Sequence, residues 1–396
     1  VLNAQLPPQT LLHTEWFHAD CLADYYHVKP LSEAHWTILE NYIRTAGESC
    51  GVNMLLTPVF TPPLDTVVGG ERTTVQLVAI KQDKGVYSFD FENLRRWCTL
   101  CRKYGITHLE IAHLFTQWGA KATPKIIVCV DGEEKRVFGW DVAATAPEYR
   151  TFLEAFLPAL LAELHAEGYT KEQLYFHVSD EPNEEHLDSY LAAKQQIDDL
   201  LQGYHVMDAL SSYEFYKRGL VPHPVPADDH IQPFIDHQVP DLWVYYCCAQ
   251  GKDVPNRFLS MPSARNRIMG VLMYLYEIKG FLQWGFNFYG SQFSRHPIDP
   301  YRVTDCELSF PAGDPYLVYP AQDGTAYSSL RNEVQMEAYA DLRALQLLES
   351  MTSRTFVKAL IYEGIDTPIT FKQYPTSAGW LLRLNKRVKE EIATRI

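Results

Sequence analysis

Short apolar runs alternate with stretches of helical periodicity along almost the whole chain, and this alternation limits the possible folds more than any other feature. Residues 11–17 read as a first strand. A helix over 32–45 follows, with Ser32 placed to cap it and Trp36, Leu39 and Ile43 at apolar spacing. Residues 52–60 resemble a second strand, 92–104 the next helix and 108–115 a third strand, whose loop opens with Gln117 and Trp118. The long helix over 146–167 contains Pro158, which predicts a kink or a break. A strand near 174–178 leads to a helix over 184–201. Residues 205–210 and the region around 223–225 are weaker strands, and 241–246 is a strong one. A helix over 263–279, a last long strand over 280–289 and a helix over 329–350 complete the series. Two hairpins interrupt it, 74–80 with 85–91 and 125–130 with 135–140, and the second turns at Asp131-Gly132. About eight strands alternating with about eight helices predict an α/β fold, a (β/α)8 TIM-like barrel with hairpin insertions. With no internal repeat, low-complexity segment or linker, residues 1–396 read as one barrel domain with a C-terminal helical tail.

The formal net charge of −14 offers no electrostatic footprint for DNA, RNA or an anionic membrane, so a neutral substrate is expected and nucleic acid is not. No run of about 18 apolar residues occurs, and no membrane span is expected. The chain begins Val1-Leu2-Asn3 with no signal peptide and no initiator methionine, so a leader or a preceding domain is expected to be missing from it. Of the eight cysteines, Cys98 and Cys101 have redox or metal spacing. They fall inside a helical pattern with no second pair to match, and Cys247-Cys248 reads as small apolar filler at a strand end. This usage favours a reducing, cytoplasmic compartment.

Chemistry concentrates at Leu174-Tyr175-Phe176-His177-Val178-Ser179-Asp180-Glu181-Pro182-Asn183. The apolar run reads as a buried strand that stops at Pro182, leaving two carboxylates at its C-terminal end, where α/β enzymes keep their reactive groups. The pair has a purely structural alternative, because Pro182 suits a first helical position and carboxylates favour a helix N-terminus. Against that stands like-charge repulsion at the mouth of an apolar strand, which raises one pKa and makes a proton donor near neutral pH.

Other chemistries find less support. No Gly-x-Ser-x-Gly elbow is present, Gly69-Gly70 alone does not make a phosphate loop, and the 14 histidines contain no His-Glu-x-x-His pattern, so neither a cofactor nor a metal is expected. Glycosidases usually hold two carboxyl groups about 5 to 9 Å apart, one protonating the leaving oxygen while the other attacks or activates water. Sequence neighbours are badly placed to share those duties. They suit the substrate-assisted exception, in which the 2-acetamido oxygen of the sugar is the nucleophile.

The segment His177-Val178-Ser179-Asp180-Glu181-Pro182 resembles the Asp-Glu motif of family 123 glycoside hydrolases, and more distantly the His-x-Gly-Gly-Asp-Glu segment of family 20 hexosaminidases. The likeness to family 123 extends to Trp16-Phe17-His18-Ala19-Asp20, Trp243-Val244-Tyr245-Tyr246, residues 280–289, Leu317-Val318-Tyr319-Pro320 and Ser329-Leu330-Arg331, and so covers most of the chain. The resemblance implies a catalytic barrel acting as a retaining exo-β-N-acetylgalactosaminidase on glycans with terminal β-linked N-acetylgalactosamine. It implies Asp180 as the residue that stabilises the acetamido group and Glu181 as general acid/base. Members are similar in having a β-sandwich ahead of the barrel, and no stretch here reads as one.

Trp243, Tyr245, Trp284 and Asn287 lie near predicted strand ends and are candidates for the walls of a sugar pocket, since aromatic faces stack on sugar rings. For each aromatic, packing inside the barrel is the alternative. Arg331 and Glu333 open the last helix at the same end, as ligand contacts or as an exposed or capping pair, and His18, Asp20 and His113 fall at the same mouth. A glycosidase of different sugar specificity and a non-catalytic carbohydrate-binding barrel remain the rival readings.

Overall fold

The computed structural model describes residues 3–396 and contains the eight barrel strands, all parallel. They are β1 (Leu12–Glu15), β2 (Met54–Thr57), β3 (His108–Ile111), β4 (Leu174–Phe176), β5 (His205–Leu210), β6 (His223–Pro226), β7 (Trp243–Tyr245) and β8 (Gly280–Gln283). Each pairs with its neighbour in sequence from β1 to β6, β7 pairs with β8, and β8 returns to β1 in the register Leu12↔Gly280. A bridge between Ala227 and Tyr245 closes the remaining seam between β6 and β7, reinforced by the Asp228 N–H donating to the Tyr245 carbonyl at 2.9 Å. This is the (β/α)8 barrel that the alternation of strands and helices predicts.

The helices lie outside because each carries one apolar stripe that must be buried. In α1 (Glu33–Arg44) the stripe is Trp36, Leu39, Tyr42 and Ile43, and the Ser32 hydroxyl caps it by accepting from the His35 N–H. In α2 (Glu92–Lys103) it is Leu94, Trp97, Cys98 and Cys101, so the two cysteines with metal-like spacing are core residues of one helix face. The helix α3 (Pro147–Ala166) runs unbroken through Pro158. Burial of Phe152, Phe156, Leu157, Leu160 and Leu161, worth about 1.5–3 kcal/mol for a fully buried side chain, outweighs the lost hydrogen bond.

Several expected elements differ, among them the helix expected over 184–201, whose α-helical part is Leu187–Lys194. The last strand stops at Gln283 instead of reaching 289, and the chain then passes so close to residue 314 that a Cβ on Gly285 would sit 2.3 Å from the Asp314 carbonyl oxygen. The helix expected over 263–279 is two short pieces, Ala264–Arg267 and Met269–Leu275. The two hairpins are one four-stranded sheet, Val86–Asp90, Ala79–Asp83, Ile126–Val130 and Glu133–Phe138, joined by the parallel pairs Lys81↔Cys129 and Gln82↔Val130. Neither hairpin could hide its apolar face alone. Together they lay Tyr87 and Phe138 against Phe152 of α3, with ring centroids 5.3 and 5.2 Å away.

The chain closes with α4 (Leu330–Met351), α5 (Arg354–Ile361) and α6 (Ala378–Ala393). Leu381, Leu384 and Val388 of α6 pack beside Ala344 and Leu345 of α4, so the tail is part of the outer layer. Among the described residues no helix is long and apolar enough to cross a membrane.

Candidate active site

Along β4 and the residues after it, side chains alternate. Leu174, Phe176 and Val178 pack outward in the main core, whereas Tyr175 and His177 face the barrel axis. The chain then turns sharply: Glu181 has φ +42°, a left-handed conformation uncommon outside glycine and concentrated at functional sites. Asp180 and Glu181 both line a cavity of about 230 Å³ at the C-terminal mouth of the barrel. The Tyr245 hydroxyl, at the end of β7, donates to Glu181 Oε1 at 2.5 Å, and Cys247 Sγ lies 3.7 Å from the same oxygen. Burial raises the Asp180 carboxyl well above the usual carboxylate range, the charge of Glu181 adds to this, and His177 opposes it. A carboxyl raised in this way keeps its proton toward neutral pH.

Beneath the pair runs a buried polar network. His177 Nε2 meets Glu110 Oε1 at 2.6 Å and its Nδ1 meets Asp208 Oδ1 at 2.9 Å, all three side chains being fully buried. Glu110 also accepts from Thr14 Oγ1 (2.5 Å) and Trp16 Nε1 (2.7 Å), and Asp208 accepts from the Tyr190 hydroxyl (2.5 Å). Burial alone lowers the His177 pKa, but hydrogen bonds and charge from Asp208 and Glu110 win and raise it from 6.5 to about 10. His177 is therefore an imidazolium donating from both nitrogens. His113 stacks on it with centroids 4.1 Å apart and planes 14° from parallel. Burial and the neighbouring His177 charge hold His113 neutral, and among the described residues neither of its nitrogens has a hydrogen-bond partner. His113, His177 and Asp208 lie close enough together to be considered for a cation. The donor set does not fit one, because both His177 nitrogens are committed to carboxylates and the two rings are stacked face to face.

A second buried cluster occupies the β1 and β8 side. Arg257 grips Glu15 through two bonds of 2.7 and 2.9 Å and also donates to Gln283 and to the Gly285 carbonyl. Gln283 in turn donates to Asp314, which accepts from Trp284 Nε1 at 2.8 Å and so fixes the indole in the cavity wall. Burial raises the Asp314 carboxyl to about 7, against the hydrogen bond from Trp284.

Of the residues singled out from the sequence, Asp180, Glu181, Tyr245 and Trp284 share the cavity. The others lie around it. Trp243 fills the barrel axis lower down, 5.8 Å from Tyr175 and so close to Gly280 that no Cβ fits there. His18 accepts at Nδ1 from Arg72 (3.0 Å) and reaches the Trp284 carbonyl through Nε2 (2.8 Å); burial and the Arg72 charge lower its pKa to about 3. Asp20 is clamped by the same guanidinium at 2.7 and 2.8 Å. Asn287 pairs with both backbone groups of His18. These three therefore brace the Trp284 loop from behind. Arg331 bonds the Gly313 carbonyl and the Tyr319 hydroxyl, and Glu333 accepts from Ser328, both away from the cavity.

Leu64, Asp65, Gln117, Trp118, Phe293 and Phe310 complete much of the wall without having been singled out. They sit on irregular loops, where no periodicity marks an inward face, and only the loop position of Gln117 and Trp118 after β3 was a signal.

The profile of the glycoside hydrolase 123 catalytic domain matches residues 16–348. Among solved structures, a family 123 glycoside hydrolase from Clostridium perfringens, described for glycolipid glycan hydrolysis, is similar at a TM-score of 0.70 with 16% identity, covering 100% of this chain and 71% of that one. A family 5 mannosidase from Rhizomucor miehei has a TM-score of 0.44 at 13% identity over 85% of this chain and 94% of that one. A search of curated proteins finds no match.

Proposed function

The chain belongs to the family 123 glycoside hydrolases, and from that premise we propose that this glycosidase is a retaining exo-β-N-acetylgalactosaminidase working by substrate-assisted catalysis. The observation that carries the reading is that Asp180 and Glu181, consecutive in sequence, line one cavity. In the proposed reaction the acetamido carbonyl oxygen attacks the anomeric carbon as the bond to the leaving oxygen breaks, giving an oxazoline in its N-protonated form, whose N–H stays hydrogen-bonded to the Asp180 carboxylate. Asp180 accepts from the acetamido N–H. That hydrogen bond favours its carboxylate form, and the proton Asp180 gives up passes to Glu181, which delivers it to the departing oxygen. Glu181 then takes a proton from water as it opens the oxazoline, restoring the starting anomeric configuration. The proton given to the leaving oxygen is thus replaced by one from the attacking water.

Trp284 and Tyr245 are proposed as sugar-contacting walls, and the barrel with its C-terminal helices as one catalytic domain acting on glycans with terminal β-linked N-acetylgalactosamine. The test compares a 4-nitrophenyl β-N-acetylgalactosaminide with the matching β-galactoside. Cleavage of the first alone is expected, together with tight inhibition by a thiazoline mimic of the oxazoline. Equal turnover of both glycosides removes the substrate-assisted mechanism.

A further inference from the structure

A third carboxylate faces the same cavity as the acid pair: Asp65, on the irregular segment 61–72 that follows β2. Its placement is built from three loops. The Asp65 N–H donates to Gln117 Oε1 at 2.5 Å, its carbonyl accepts from Ser294 Oγ at 2.8 Å, and its Oδ2 accepts from the Phe293 N–H at 2.9 Å. The Ser294 N–H, which also meets the Ser291 carbonyl, lies close enough to favour the same carboxylate, and among the described residues no side chain hydrogen-bonds to the Asp65 carboxyl. The loops hold this arrangement at a conformational cost. Asp65, Trp118, Phe293 and Ser294 all have positive φ, at 42°, 61°, 59° and 52°, and Trp118 packs edge-on against Phe293 at 5.6 Å. Four non-glycine residues in the left-handed region around one rim are the kind of strain that a fold keeps at a binding site.

We propose that Asp65 is a specificity residue of the sugar pocket, its carboxylate accepting from a ring hydroxyl of the terminal sugar and so fixing which hydroxyl configuration enters. The inference rests on the reading of this cavity as the sugar site. An ionised carboxylate only accepts hydrogen bonds and has about four lone-pair sites, a neutral sugar presents hydroxyl donors, and the backbone contacts that anchor Asp65 leave it acceptor capacity in the cavity wall. Burial holds its carboxyl at about 6 in the empty pocket, with Arg72 opposing, so at neutral pH it is largely the acceptor form. The Phe293 and Gln117 contacts keep it from swinging away when the sugar arrives. A hydrogen bond to a charged partner is then lost when either that hydroxyl or the carboxylate is removed.

The test measures kcat and KM for the wild-type enzyme, Asp65→Asn and Asp65→Ala on 4-nitrophenyl β-N-acetylgalactosaminide and its 3-, 4- and 6-deoxy analogues, with and without azide. The wild type is expected to lose roughly 10- to 150-fold in kcat/KM on one deoxy sugar, Asp65→Asn a similar factor on the parent, and the two enzymes to agree on that one analogue. Wild-type tolerance of all three deoxy sugars overturns the proposal without needing a variant. An equal Asp65→Asn loss on every analogue, with azide inert, overturns it while leaving the substrate-assisted reading intact. Restoration of Asp65→Ala by azide, with a glycosyl azide of inverted configuration as product, makes Asp65 the nucleophile and overturns both.

Discussion

Replacing His177 with Gln tests whether the barrel carries a permanent cation beneath the acid pair. In the folded protein its pKa is raised from 6.5 to about 10, a gap of roughly 3.5 pH units, which at about 1.36 kcal/mol per unit corresponds to roughly 5 kcal/mol of stability. The sign follows from proton linkage. Below about pH 6.5 both folded and unfolded chains hold the proton and the stabilisation is present in full. Between about 6.5 and 10 the folded state keeps a proton that the unfolded state releases, so stability is lost as the pH rises. Removing the cation also leaves Glu110 and Asp208 facing each other's charge in the core, and breaking a buried pair of this kind costs about 3–5 kcal/mol. Urea unfolding of wild type and His177→Gln at pH 6.5 and pH 9.5 gives the comparison. The variant is expected to be less stable by roughly 3–5 kcal/mol at the lower pH, with the gap narrowing by about 3 kcal/mol at the higher one. A gap that stays constant with pH means that His177 is neutral in the folded protein and refutes the reasoning.

Tyr245→Phe removes the hydroxyl that holds Glu181 Oε1 and is expected to lower kcat by roughly 10-fold or more with little change in KM, measured on the aryl N-acetylgalactosaminide. Asp228 is buried with no side-chain hydrogen-bond partner among the described residues, and burial followed by the Asp229 charge raises its pKa well above the usual range. It therefore costs stability as the pH climbs past the ordinary carboxylate range, and Asp228→Asn is expected to melt higher than wild type at pH 8 and at about the same temperature at pH 4. Glu15→Gln leaves the Arg257 guanidinium buried without its counter-charge and is expected to cost about 3–5 kcal/mol in denaturant unfolding at pH 7.

What was legible in the sequence follows from which forces are local. The acid pair could be found because an apolar run that stops short of Pro182 announces itself in consecutive residues, and the Ser32 cap because capping is decided within four positions. The single four-stranded sheet was hidden because its central pairing, Lys81 with Cys129, joins residues far apart in sequence whose alternation says only that each is a strand. The overlong last strand has a similar origin. Residues 284–289 are as apolar as β8, and only the close approach of Gly285 to Asp314 takes them out of the ladder. His18, Asp20 and Asn287 illustrate a different limit: polarity near a strand end is visible, whereas Arg72, the partner that turns His18 and Asp20 into a brace, enters from an insertion with no signal of its own. Asp65 was missed because its segment has turn composition and no period, so nothing distinguishes a residue aimed at the cavity from one aimed at solvent.

These buried charges also bear on what the cavity accepts. The Asp180 carboxyl is pushed up by burial and by Glu181, Asp208 and Asp65, and only His177 opposes them. Another negative charge placed in this space would add repulsion to the cost of losing water, whereas a neutral sugar with an amide N–H offers Asp180 the donor that its carboxylate form lacks. In the proposed reaction, binding of an N-acyl sugar itself favours the Asp180 carboxylate and frees its proton for the leaving oxygen. Under the proposed mechanism an uncharged terminal N-acetylhexosamine is favoured over a uronic or sialic acid on electrostatic grounds alone. The choice among neutral sugars then falls to contacts such as Asp65 at the rim.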